Sequence, residues 1–164
     1  MNTSLCFKDK FLVKEKSCCF FGHAELNIDQ ALIDKITNFI KGLLLQDYKV
    51  FYFGGFGMFD EICYQIVCKL KQEHSDIKRI FCVVEEQQLN SWKRPNWLNQ
   101  RQYEDFIYFS PEFDYWYKRI YYRNIEMIKN SDLSVFFVEH DYGGAYKVMQ
   151  YATKNKVNTI NLAK

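Results

Sequence analysis

The chain has 164 residues, 48% of them hydrophobic and 18% aromatic, and a net charge of +2. That length fits one domain with a full core, and so much Phe and Tyr makes a disulfide or metal staple unnecessary. The balanced charge lacks the basic stripe of a dedicated duplex-DNA binder, and no run of about 18 apolar residues is present to span a bilayer.

Residues 1–16 are a leading segment, charged and interrupted, without the apolar block of a secretory signal. The six cysteines (Cys6, Cys18, Cys19, Cys63, Cys68, Cys82) contain no C-x-x-C pair. Cys18 and Cys19 point to opposite faces of a strand, and Cys63 and Cys68 do not stack on a helix. This pattern suits buried, reduced thiols in a cytoplasmic protein and predicts no metal site.

From there, short apolar runs alternate with helical periods. Residues 17–22 (SCCFFG) read as a buried strand. Residues 29–45 follow as a helix with Leu32, Ile36, Phe39, Ile40 and Leu43 on one face. Residues 48–53 are a second strand, and Phe59, Ile62, Cys63, Ile66, Val67 and Leu70 form one face of the next helix.

A third strand spans 78–84. Residues 85–102 show no period and carry Pro95, Trp92 and Trp97, which predicts a long surface loop. A fourth short strand covers 106–109. A helix over 114–130 has an aromatic-rich face including Trp116, Ile120, Tyr121, Ile125 and Ile128, so its Tyr and Trp residues are expected mostly in the core. A strand (133–138), a helix (144–155) and a final strand (157–162) complete the chain. Strands separated by helices imply right-handed crossovers. The expected fold is α/β: a single Rossmann-like doubly wound domain over 1–164, with a mostly parallel sheet flanked by helices.

In such folds ligands sit beyond the carboxyl ends of the strands, near the point where strand order reverses. Three loops fall at strand ends: Gly22 with His23, residues 53–60, and residues 139–144. The second runs from strand into helix through Gly54, Gly55 and Gly57, with Asp60 and Glu61 in the first helical turn. Glycines let backbone approach a bound group, and free N–H groups at a helix start attract anions, so a phosphate-bearing small molecule is the first ligand to consider. A tight strand–helix turn needs similar glycines. Asp60 and Glu61 equally suit a helix amino terminus, where acids are stabilised by about 0.3–1 kcal/mol. A carboxylate beside a phosphate is awkward electrostatically, which favours ribose hydroxyls as its partner. Gly143 and Gly144 form a second glycine pair at a later strand end. Arg123 either contacts phosphate or pairs with a surface acid such as Glu126. His140 with Glu139 and Asp141 offers metal-ligand types, but consecutive residues seldom face one ion.

The motifs resemble the SLOG superfamily, which includes Lonely Guy (LOG) phosphoribohydrolases, DNA-processing protein A and small YpsA-like proteins. The resemblance runs from CCFFGH at 18–23 to the carboxyl end. It rests on GH after the first strand, GGxxxFD after the second (Gly54, Gly55, Phe59, Asp60), Arg123–Asn124 leading to Ser131–Asp132, and Gly143–Gly144 before a helix with Tyr151–Ala152. It implies a Rossmann-like sheet that binds nucleotides or their derivatives. The ligand-binding set it singles out is Gly22, His23, Gly54, Gly55, Gly57, Arg123, Asn124, Gly143 and Gly144.

Two departures stand out. The small members carry arginine after GH, where this chain has Ala24. The PGGxGTxxE loop of LOG enzymes is YGGAYKVMQ here, so Tyr146 and Lys147 replace GT, and Gln150 replaces the glutamate. An amide cannot act as a general base.

The leading functional expectation is therefore binding, with no resident cofactor, of a nucleotide or nucleotide-derived molecule, in the manner of a sensor. The alternative is a LOG-like N-glycosidase acting on nucleoside 5'-monophosphates, with Asp60 or Glu61 taking over catalysis. A third reading is single-stranded nucleic-acid binding through Trp92, Lys93, Arg94 and Trp97, since cations among aromatics suit stacking on bases. The balanced charge disfavours a nucleic-acid partner, no membrane partner is expected, and a homodimer stays open.

Overall fold

Strand β1 (Lys16–Gly22) is buried along almost its whole length, because both of its faces are apolar. Cys18 and Phe20 join one half of the core, and Cys19 and Phe21 join the other. A continuous apolar run of this kind belongs at the centre of a parallel sheet covered on both sides. The computed structural model describes residues 15–84, 102–108 and 115–164. The expected loop over 85–102, with its Trp92, Lys93, Arg94 and Trp97, lies outside the described residues apart from Gln102.

After β1 come α1 (Gln30–Leu45), β2 (Tyr48–Phe53), α2 (Met58–Leu70), β3 (Lys78–Val83) and β4 (Asp105–Tyr108). The chain continues through α3 (Trp116–Lys129), β5 (Leu133–Phe137), α4 (Gly144–Lys154) and β6 (Thr159–Asn161). The six strands form one sheet in the order β4-β3-β2-β1-β5-β6. Among the described residues every pairing is parallel, in keeping with the mostly parallel sheet expected. The chain lays down β1 to β4 outward in one direction, then returns to place β5 against the free side of β1. Strand order therefore reverses between β1 and β5, with Gly22 opposite Phe137 at the carboxyl ends. The fold is a Rossmann-like α/β domain.

Helices α1 and α2 cover one face. Ile36, Ile40 and Leu43 of α1 pack with Phe59, Ile62, Cys63, Ile66, Val67 and Leu70 of α2 on Phe20, Phe51 and Phe53. Asp29 caps α1, its carboxylate accepting from Leu32 N at 2.8 Å. Helices α3 and α4 cover the other face through Met127, Ile128, Val148 and Ala152.

One expectation fails in α3. Tyr115, Trp116, Tyr117 and Tyr122 are exposed, while Arg123, Ile125, Met127 and Ile128 form the buried face. The helical phase is set by Ile125 and Ile128, and that phase carries Arg123 inward and Trp116 outward. Ser131 and Asp132 sit at the amino end of the sheet. Asp132 accepts from Ser17 N at 2.7 Å and Ser17 Oγ at 3.2 Å, tying the starts of β1 and β5 together. The SD motif thus serves the fold at the end opposite the strand-end loops.

Among the described residues Cys18, Cys19, Cys63 and Cys82 are buried free thiols and Cys68 is half-buried. Burial pushes the Cys19 thiol up to about 11 and Cys18 and Cys63 up as well, so these groups behave as apolar packing. No helix among the described residues is long and apolar enough to cross a membrane.

Candidate functional site

A cleft of about 440 Å³ opens at the carboxyl ends of β1 and β5, where strand order reverses. That volume lies in the range typical of small-molecule sites. Gly22, His23, Gly54, Asp60, Arg123, Asn124, Gly143 and Gly144 all line it. The three strand-end loops therefore meet at one edge of the sheet. Gly55, Gly57 and Glu61 do not line the cleft. Gly55 faces the Phe81 ring and Gly57 faces the backbone of Ala24. Glu61 borders a separate small groove with Ile28 and Met58, and its carboxylate accepts from Gln65 Nε2 at 2.7 Å.

The first glycine loop is closed by its own chain. Asp60 is buried, and its two oxygens accept from Gly54 N at 3.0 Å and Gly55 N at 2.9 Å. The amides that the glycine pattern offers to an anion are given to this carboxylate instead. Met58 N, at the start of α2, donates to the carbonyl of Ala24 at 3.0 Å. The amino end of α2 also carries Asp60 and Glu61 in its first turn. An external anion meets little unspent positive field there.

Arg123 is almost wholly buried beneath the same loop. Its Nη1 donates to Gly54 O at 2.9 Å and to Cys82 O at 3.3 Å, so it joins the ends of β2 and β3. Its Nε and Nη2 both donate to Asn124 Oδ1, at 3.1 and 3.0 Å. Burial lowers its pKa, offset by Cys82 and Asp60 nearby, and an arginine still keeps its proton in such a site. Gly54 is required by this contact: a Cβ there would lie 2.6 Å from Nη2. Glu126, the acid expected as a surface partner, instead pairs with Lys129 at 3.0 Å.

The second glycine pair is built differently. Gly143 caps α4 at φ 90°, a left-handed conformation that favours glycine. Among the described residues no side chain caps this helix, and no acid stands in its first turn. Above Gly143 and Gly144, no described residue lies within 4 Å of where a Cβ would project. The helix start thus faces open cleft with its backbone donors and positive dipole end.

His23 forms the wall between the loops. Its Nε2 accepts from Glu139 N at 3.0 Å and His140 N at 3.5 Å, which places the ring proton on Nδ1. Burial lowers its pKa; the neighbouring His140 lowers it further, while Glu139 acts in the opposite sense. The His23 ring stacks on His140 at 3.5 Å, and His140 stacks on Tyr142 at 3.8 Å. His140 Nδ1 is buried without a hydrogen-bond partner among the described residues. Asn161 braces the same turn, its amide exchanging hydrogen bonds with Val138 N at 3.0 Å and Val138 O at 2.9 Å.

Sequence reasoning missed two lining aromatics, Phe56 and Tyr142, which are 59% and 66% exposed. Phe56 also meets Trp116 edge-on at 5.8 Å. The available signal was the placing of an aromatic within or beside each glycine cluster, where helical phase gives it no core to join. Among the described residues no cluster of His, Cys, Asp and Glu is arranged to hold a metal. A larger groove of about 1080 Å³ lies along α1, α2 and the amino end of β3. Its lining mixes Lys, Gln and Glu side chains with Ile33, Tyr64, Ile66, Cys68 and Leu70, and among the described residues no strand's carboxyl end lines it.

No family model and no curated protein sequence matches the chain. Solved structures do share its architecture. The Moco carrier protein from Chlamydomonas reinhardtii superposes with a TM-score of 0.54 at 12% identity, covering 92% of this chain and 77% of that one. DNA processing protein A (DprA) from Streptococcus pneumoniae gives 0.50 at 8% identity, covering 99% of this chain and 69% of that one. The chain shares the Rossmann-like α/β fold of these two structures. At these identities the likeness concerns the backbone alone, and the contents of the cleft rest on its own residues.

Proposed function

We propose that the protein binds a phosphate-bearing small molecule, a nucleotide or nucleotide derivative, in the cleft between the ends of β1 and β5. The observation that carries this reading is the amino end of α4. It is uncapped, free of acids in its first turn, and open above Gly143 and Gly144. Helix starts of this kind suit phosphate because several N–H groups and the dipole act together. Phe56 and Tyr142 supply flat apolar faces at the mouth for a ring system. The neighbour named as a carrier of Moco supports a small-molecule cargo on this fold.

The reading is binding rather than turnover. Asp60 gives both oxygens to the Gly54–Gly55 turn, Glu61 faces Gln65, and Gln150 is an exposed amide. A thermal-shift panel of AMP, ADP-ribose, NAD and cyclic nucleotides tests the proposal. A ligand at 100 times its Kd adds about 2.7 kcal/mol of stability. No response across the panel, with calorimetry agreeing, sinks it. Release of free adenine from AMP would instead return the N-glycosidase alternative.

A further inference from the structure

We propose that Asn124 is the side chain that hydrogen-bonds the ligand's phosphoryl oxygens, and that the neighbouring Arg123 is a positioning residue that aims it. This rests on the binding reading above. The geometry runs from the inside outward. Arg123 is buried and fixed by the carbonyls of Gly54 and Cys82. Its remaining donors, Nε and Nη2, converge on Asn124 Oδ1.

A guanidinium has donors only, so the atom that Asn124 turns towards it must be the amide oxygen. That settles the other end of the amide. Nδ2, with two N–H donors, is turned away from the guanidinium, and no described residue accepts from it. Asn124 lines the cleft together with Gly143 and Gly144. The cleft therefore receives a fixed neutral donor on the same cavity wall system as the open helix start. A group that accepts from both is an oxygen-rich anion, which selects phosphoryl over a ring carbonyl. Arg123 gives four of its five N–H groups to acceptors inside the protein, so its charge acts on the ligand mainly as a field from beneath.

The test uses Asn124→Asp, which keeps an oxygen for Arg123 while replacing the donor with a negative group. AMP, ADP-ribose and inorganic phosphate serve as probes by calorimetry, with adenosine as the arm lacking phosphate. The expected result is AMP affinity weaker by about tenfold or more, because a hydrogen bond to a charged group is lost. The thermal midpoint should not fall, and adenosine binding should not change. Asn124→Ala gives the neutral control: AMP weakens, and the midpoint falls because Arg123 loses two bonds.

AMP affinity within about twofold of the parent in Asn124→Asp overturns the role of Asn124 and leaves the cleft reading standing. A lowered midpoint in Asn124→Asp overturns the proposed orientation of the amide. An unmodified protein that binds none of the three phosphate probes overturns both readings together.

Discussion

The Arg123 guanidinium lies against the backbone of Gly54, donating to its carbonyl at 2.9 Å across a sequence separation of 69 residues. The contact joins α3 to the end of β2, and only a residue without Cβ leaves room for it. In Gly54→Ala the new methyl would stand 2.6 Å from Nη2 and 2.9 Å from Cζ. The guanidinium must then move and leave buried carbonyls unpaired. Overpacking of this kind costs about 1–3 kcal/mol, and we expect a loss of that size in urea denaturation. Arg123→Lys should not rescue it, because one ammonium cannot span Gly54, Cys82 and Asn124 together.

Asp60 holds the same turn from the opposite side. In Asp60→Asn the amide offers one oxygen to the two N–H donors of Gly54 and Gly55, and its NH2 faces a donor. We expect stability to fall by about 1–3 kcal/mol, as for an unsatisfied buried donor. Affinity for AMP should fall far less than stability, because the carboxylate serves the turn. A variant of full stability that loses AMP binding would refute that division of roles.

The architecture was legible because its signals are periodic and long. The apolar face of α2, from Phe59 to Leu70, is buried as its spacing requires, and the β2 boundaries match those read from the sequence. The aromatic face of α3 misled for a physical reason. Tyr121 does pack against the core, but counting Trp116 with it ignores that an arginine can occupy a core position when carbonyls and an amide absorb most of its donors. The convergence of Gly22, Gly54, Arg123 and Gly143 on one edge follows from strand order, which parallel crossovers make readable. The use of each glycine did not follow. Gly54 and Gly143 look alike in sequence, yet one packs on a guanidinium and the other faces open cleft. What separates them is Asp60, whose carboxylate fills the first loop and has no counterpart in the second.

His23 gives the fold a pH dependence of defined sign. Its folded pKa lies below the ordinary 6.5, because burial and His140 disfavour the charged ring. Protonating Nε2 would also set an N–H against the donating amides of Glu139 and His140. As pH falls, the unfolded chain takes up this proton first. Stability from His23 is therefore complete above the unfolded value and is lost as pH drops from there through the folded value. Denaturant midpoints measured between about pH 7.5 and pH 5.5 should decline with acidity. In His23→Gln, which offers an acceptor that does not titrate, the decline should be shallower. Equal slopes in the two proteins would remove His23 as the source.

Gly144→Asp separates the helix from its proposed ligand, because the two respond with opposite sign. Gly144 is the first residue of α4, no described residue lies within 4 Å of its Cβ position, and the first turn holds no acid. An aspartate there complements the helix dipole, worth about 0.3–1 kcal/mol. Aspartate also ranks just above glycine in helix propensity, which adds about a few tenths of a kcal/mol. The variant should therefore melt higher than the parent. The same carboxylate occupies the space proposed for phosphate and repels it, so AMP binding by calorimetry should disappear. Adenosine, if it binds through Phe56 and Tyr142, should be retained. A variant that is both more stable and unimpaired for AMP would move the phosphate away from α4 and leave the open helix start without a ligand.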